Sequence, residues 1–263
     1  CAPTSAGAPA LVGAHVRLWS PPRGAAVSTG GAAATLGPPL GLEADPWSDE
    51  LSGPCLLTEG MRRYQGWLDG LRDADGLEAA LFVECPLPHP TFFASRALFA
   101  KYGYRDCGWP EDYDLLLRLS AAGLRLGVVP TPLLLWRDGP GRLSRTGSAY
   151  HQRAFVACKA WHLSERYLSK GRAFLLWGHG DTGRALRAAL AGLGWRPRAI
   201  LEVSPRKVGQ RIDGVPVLSP DVLRERCADF IVVSVAGTGP RREIEARLSR
   251  WGYVAGRDFV FAA

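Results

Sequence analysis

The residues best suited to reactivity lie in Gly108-Trp109-Pro110-Glu111-Asp112-Tyr113-Asp114-Leu115, where a proline opens a helix and acids fill its first turn. Acids there are favoured by the helix dipole, so their default role is structural, and a catalytic one needs support from the neighbourhood. That neighbourhood is unusual. It holds His89 between Pro88 and Pro90, the strand-like Thr91-Phe92-Phe93, then Trp136-Arg137-Asp138 and Arg142-Leu143-Ser144-Arg145. A second cluster follows far downstream. Gly178-His179-Gly180-Asp181-Thr182-Gly183 satisfies G-x-G-x-x-G, with an apolar run before it and a helical pattern after it. Its glycines would let a phosphate approach a helix N-terminus, and Glu202 falls where a ribose-binding acid is expected.

These clusters need elements to hold them. Leu11 to Trp19 reads as a strand, residues 30–39 as an Ala/Gly/Pro-rich loop, and Thr58 to Leu71 as a helix with apolar Met61, Tyr64, Trp67 and Leu68 at helical spacing. Leu81 to Cys85 is a short apolar run expected as a strand, and Ser95 to Tyr102 a helix. The acidic helix should run from Pro110 to Ala122 and stop at Gly123, a natural left-handed cap. Leu124 to Val129 and Leu133 to Trp136 are expected as two strands. Tyr150 to Leu168 is a long amphipathic helix closing the first domain. After Ser169-Lys170-Gly171 strands alternate with helices: Phe174–Trp177, Asp181–Leu193, Ala199–Val203, Val215–Leu218, Asp221–Arg226, Phe230–Val235, Arg241–Trp251 and Asp258–Phe261. That alternation predicts a parallel, doubly wound sheet.

Composition narrows the classes. A chain of 263 residues with 47% apolar content can fill a sizeable core. The net charge of +7 is dominated by arginine and dispersed, which argues against a nucleic-acid tail. The six cysteines show no zinc-site spacing and are expected to be reduced. No apolar run approaches the roughly 18 residues of a membrane span. The expected location is cytoplasmic, with peripheral contact at the inner membrane face in view. The chain opens on Cys1, and Met61 is its one methionine, which reads as a truncated frame.

Taken together, Pro90-Thr91-Phe92-Phe93, Glu111-Asp112 and Trp136-Arg137-Asp138 through Ser144 resemble the acceptor-side half of a family 2 glycosyltransferase with the A-type fold. The resemblance covers roughly residues 10 to 168. It implies inverting transfer of a sugar from a nucleotide-sugar donor to an acceptor hydroxyl, on a sugar or lipid-linked acceptor, in cell-surface polysaccharide or glycan synthesis. Asp112 would take the acceptor proton, with Glu111 orienting the turn. His89 and Trp109 would contact the acceptor, Arg142 and Arg145 the leaving phosphates. The family's divalent cation (Mg or Mn) is expected, and Asp138, standing where the family has histidine, is its candidate ligand. One departure is large: the N-terminal nucleotide-binding half ending in Asp-x-Asp is absent, and Asp73-Ala74-Asp75 reads as a solvated turn.

The stretch from 172 to 263, including Ile212-Asp213-Gly214-Val215-Pro216, resembles the small Rossmann-like N-terminal domain of bacterial sugar acyltransferases. It implies a nucleotide or sugar-nucleotide site built on Gly178, Gly180, Gly183 and Glu202, unless the glycines serve strand–helix packing alone. The expected fold class is therefore α/β: a partial A-type glycosyltransferase domain over 1–168, then a small doubly wound parallel-sheet Rossmann-like domain over 172–263. The rival reading is a non-catalytic nucleotide-sensing or scaffold protein with a degenerate transferase domain.

Overall fold

The computed structural model describes residues 8–19, 57–139, 141–169 and 171–263. The loop expected over residues 30–39 lies outside them. In the first half, β1 (Leu11–Trp19) is the centre of a three-stranded sheet, with β2 (Phe93–Ala94) antiparallel on one side and β3 (Leu126–Arg137) parallel on the other. Sequence reading splits β3 in two because Pro130 and Pro132 interrupt it. The strand instead continues through them on a shifted register, Ala14 facing Val129 and His15 facing Pro132. Prolines are tolerated there because β3 is an edge strand among the described residues and the irregularity takes up the missing donors.

Four helices surround this sheet: α1 (Glu59–Asp69), α2 (Ala74–Ala80), α3 (Arg96–Tyr102) and α4 (Glu111–Ala121). Thr58, Asp73 and Ser95 cap the first three by accepting the amides of Met61, Gly76 and Leu98. Asp73-Ala74-Asp75 is thus a helix start, not a bare turn. The expected strand Leu81 to Cys85 is instead a set of turns leaving α2. Its Leu81 and Phe82 are buried, and a short apolar run reads the same whether it is a strand or a buried turn. Within the polar loop after β3 lies α5 (Leu143–Thr146). The long closing helix is α6 (Gln152–Leu163), which widens into a π turn over Ser164–Leu168.

The second half is the doubly wound sheet the alternation predicts. β4 (Phe174–Trp177), β5 (Ala199–Leu201), β7 (Val215–Leu218), β8 (Phe230–Val233) and β9 (Phe259–Phe261) run parallel in the order β7-β5-β4-β8-β9, and short β6 (Arg211–Ile212) adds an antiparallel edge. The stretch expected as a helix after Ser219 is a 3-10 turn, Pro220–Arg224. Two helices complete the half, α7 (Asp181–Gly192) and α8 (Thr238–Arg250). Alternate strand residues face opposite ways. Phe174, Leu176, Phe230 and Val232 pack with Leu186 and Leu190 of α7, whereas Leu175, Trp177, Ile231 and Val233 pack with Ile244 and Leu248 of α8.

The α7 face does not stop at residue 172. Its apolar cluster continues into Leu163 and Leu168, then Leu77, Leu81, Phe82 and Leu115 of the first half. Tyr167 stacks on Phe230 at 4.6 Å, and Lys159 of α6 donates to the carbonyls of both Val83 and Ala262. The two halves share one core.

Candidate functional site

The start of α4 is held from beneath by Asp114, which is fully buried. Its carboxylate accepts from Arg105 at 2.6 and 3.1 Å, from Arg118 at 2.7 Å and from Trp109 Nε1 at 3.2 Å, and lies 3.0 Å from His162 Nε2. Burial alone would raise its pKa; hydrogen bonds from His162, Arg105 and Arg118 outweigh it and hold the group well below the usual carboxylate range. Asp114 therefore anchors the turn. Trp109, expected against an acceptor, is spent on this network and on packing against Trp161, and it does not line the cavity. Asp114, Cys158 and His162 lie close enough together for a metal, yet a carboxylate already clamped by two guanidiniums is a poor cation ligand.

Above this anchor opens a cavity of about 930 Å³. Asp112, its side chain 15% exposed, lines it, with Oδ1 accepting the Tyr113 amide at 2.7 Å. Burial raises its pKa, opposed by that amide and by His89, and assisted by Glu111. His89 Nδ1 stands 3.7 Å from Asp112 Oδ2 and 3.6 Å from Glu111 Oε1, and its Nε2 is 2.9 Å from the Tyr104 hydroxyl. Pro88 and Pro90 fix it in a 3-10 turn. Glu111 receives the Tyr150 hydroxyl on both oxygens, at 2.7 and 2.6 Å, which sets its orientation.

The polar loop after β3 supplies the opposite charge. Asp138, 5% exposed, binds Arg145 at 2.6 Å and Arg142 at 3.4 Å, and Arg142 lies 4.0 Å over the Trp136 ring. The expectation that Asp138 ligates a cation is corrected by this pairing. One carboxylate between two guanidiniums does not fit a divalent ion, but the set retains one positive charge beside the cavity. Six of the expected residues, His89, Glu111, Asp112, Asp138, Arg142 and Arg145, thus line one cavity. Tyr150 and Tyr104 also line it, and neither is legible in the sequence, because a lone tyrosine carries no spacing signal.

The second cluster lies at the carboxyl ends of β4, β5 and β8, around a crevice of about 570 Å³. Its three glycines differ in role. A Cβ on Gly183 would sit 2.4 Å from the Gly178 carbonyl and 2.7 Å from Ser234 Oγ, and one on Gly178, at φ +96°, would meet Val235 at 2.6 Å. Those two serve close packing. Gly180 faces open space, with nothing within 4 Å. Glu202 is not a bare ribose acceptor: its oxygens take the Val203 amide at 3.0 Å and Lys207 Nζ at 3.0 Å, and although burial would raise its pKa, Lys207 and the neighbouring amides bring it below the ordinary value.

No family model matches the chain, and no curated protein matches it. Among solved structures it is similar to RSP, a Rex-family repressor, at 14% identity over 64% of this chain and 86% of that one, with a TM-score of 0.30. It is similar also to RSP in complex with β-NAD+ and operator DNA, at 16% identity over 63% and 77% of the two chains, with a TM-score of 0.29. Likenesses at this level carry no functional weight. Among the described residues no helix is long and apolar enough to cross a membrane.

Proposed function

We propose that the first half is the acceptor side of an inverting glycosyltransferase, with Asp112 as the base. The observation that carries this reading is Asp112 itself. It is a largely buried carboxylate with a raised pKa, on the wall of a cavity of the size that small ligands occupy. A base near the operating pH transfers protons most effectively, and burial moves a carboxylate in that direction. In the proposed step the acceptor oxygen bonds to the anomeric carbon as its proton passes to Asp112. The bond from that carbon to the nucleoside diphosphate breaks, and the diphosphate leaves with the electron pair. Arg142 and Arg145 suit the leaving phosphates, since Asp138 balances only one of their two charges. His89, with Tyr104 behind it, would orient Asp112, and Tyr150 would hold Glu111.

The test is sugar transfer from a panel of nucleotide sugars to hydroxyl acceptors by the wild type and by Asp112→Asn. The variant should lose about 10²- to 10⁴-fold in rate. Equal rates would remove Asp112 from the chemistry. Nucleotide binding with no transfer by either protein would favour the sensing or scaffold reading.

A further inference from the structure

We infer that Lys159 is a positioning residue for the first cavity: it ties the Leu81–Cys85 wall to the last strand of the second half, so that this half braces the groups around Asp112. The tie stands on hydrogen bonds alone, and its consequence for transfer rests on the acceptor-side reading. The turn is where the argument begins. Most of it is buried, and buried main-chain carbonyls need donors. Side chains from three different helices supply them. Tyr113 of α4 donates its hydroxyl to Leu81 O at 2.7 Å, Lys159 of α6 donates to Val83 O at 2.9 Å, and Tyr64 of α1 donates its hydroxyl to Cys85 O at 3.1 Å. Alternate carbonyls thus bind the turn to three elements at once.

The side chains of the turn are shared out in the same way. Leu81 and Phe82 enter the common core with Phe230, Val83 packs on the α8 side of the second sheet, and Glu84 and Cys85 line the first cavity. Asp112 is close by. Burial raises the pKa of the Cys85 thiol most, and the charge of Asp112 raises it further. Tyr113 makes a second connection to the base, since its amide donates to Asp112 Oδ1 at 2.7 Å while its hydroxyl holds Leu81. Lys159 joins this wall to the second half. Its Nζ donates also to Ala262 O, the residue after β9, at 2.9 Å, and these two carbonyls are its hydrogen-bond partners among the described residues. The residue is buried, and burying a lysine with no carboxylate beside it is costly, so the two hydrogen bonds are what this side chain contributes there. Loss of its charge would leave an amine with two hydrogens for two carbonyls. The tie therefore does not depend on the charge.

The experiment is hydrogen exchange, read by mass spectrometry, on the full chain as wild type, Lys159→Met and Val217→Ala. Val217 lies in a separate apolar cluster with Ile200 and Val215, so truncating it loosens the second half away from the turn. Peptides covering residues 81–87 and 110–116 should exchange about tenfold faster in Lys159→Met, the scale of one lost buried hydrogen bond, and keep wild-type protection in Val217→Ala. Transfer by folded Lys159→Met should fall about tenfold or more, because small misplacements around reacting groups are costly. If Lys159→Met does not fold, Lys159→Gln, which keeps two donor hydrogens on a shorter stem, takes its place with the same pattern expected. Unchanged protection in either peptide overturns the inference. So does equal loosening in Val217→Ala, or wild-type transfer by a loosened Lys159 variant. If no protein transfers sugar, the acceptor-side reading falls, and the exchange pattern still decides whether the second half braces this wall.

Discussion

Asp112 and Asp114 stand two residues apart on one helix turn and titrate in opposite directions. Burial acts on both. At Asp112 it outweighs the Tyr113 amide and His89, so the charged form is disfavoured in the folded protein. At Asp114 it is outweighed by His162 and two guanidiniums, so the charged form is favoured. A raised carboxyl pKa means that stability is lost as pH rises through it. Asp112→Asn should therefore melt at or above the wild-type temperature between pH 7 and 8 while transfer collapses, a divergence that calorimetry beside the transfer assay would reveal. Asp114→Asn should do the reverse. Removing one partner of a buried ion cluster costs about 3 kcal/mol, measurable by urea unfolding at pH 7. The depressed pKa of Asp114 contributes stability above the unfolded value of about 4, lost as pH falls below it. The deficit of the variant should shrink accordingly between pH 5 and pH 3.

The elements that hold these groups follow from local rules at their starts and from packing elsewhere. Thr58, Asp73 and Ser95 cap the helices that follow them, and Gly123 at φ +75° ends the turn after α4. G-x-G-x-x-G announces the β4–α7 junction, but the motif alone assigns no separate tasks to its glycines. Gly183→Ala would press a methyl group against the Gly178 carbonyl and Ser234 Oγ, and should lose about 1–3 kcal/mol in urea unfolding. Gly180→Ala enters open space and should stay within about 1 kcal/mol. Leu81 to Cys85 and the prolines of β3 mislead sequence reading for related reasons: a short apolar run has no period, and a proline marks a break only when no irregular edge pairing absorbs it.

Across the molecule, the apolar cluster under α7 runs from Leu77 and Leu115 to Phe230 and Val260 without a gap at residue 172. A shared core couples the unfolding of both halves, so heating should give one cooperative transition in calorimetry; two resolved transitions would show that 1–168 and 172–263 unfold independently. Lys159 sits within this junction. Burial pulls its pKa down to about 8, with Arg241 adding to the effect and Glu84 and Cys158 opposing it. Between about pH 8 and its ordinary value near 10.4 the unfolded chain binds more protons than the folded one, so this residue makes stability rise with pH there. Lys159→Met should flatten that rise, as urea midpoints at pH 7.5 and 9.5 would show.

The sequence by itself determined the doubly wound second half, the starts of the helices at Thr58, Ser95 and Pro110, and the placing of Glu111 and Asp112 in one helix turn. All of these depend on residues close together along the chain, where period, dipole and backbone preference act directly. Only the tertiary structure decided that Asp112 is an acid with a raised pKa and Asp114 one with a lowered pKa, that Trp109 is packing, that Asp138 belongs to two arginines, and that Gly180 alone among its motif's glycines faces open space. The roles of Asp114, Glu111 and the motif glycines depend on Arg105, His162, Tyr150 and Ser234, which lie 9 to 56 residues away along the chain, whereas Asp138 meets Arg142 and Arg145, four and seven residues on, through the folding of its own loop. Charge, burial and free volume at a point are set by whatever folding brings there, and no local spacing encodes them.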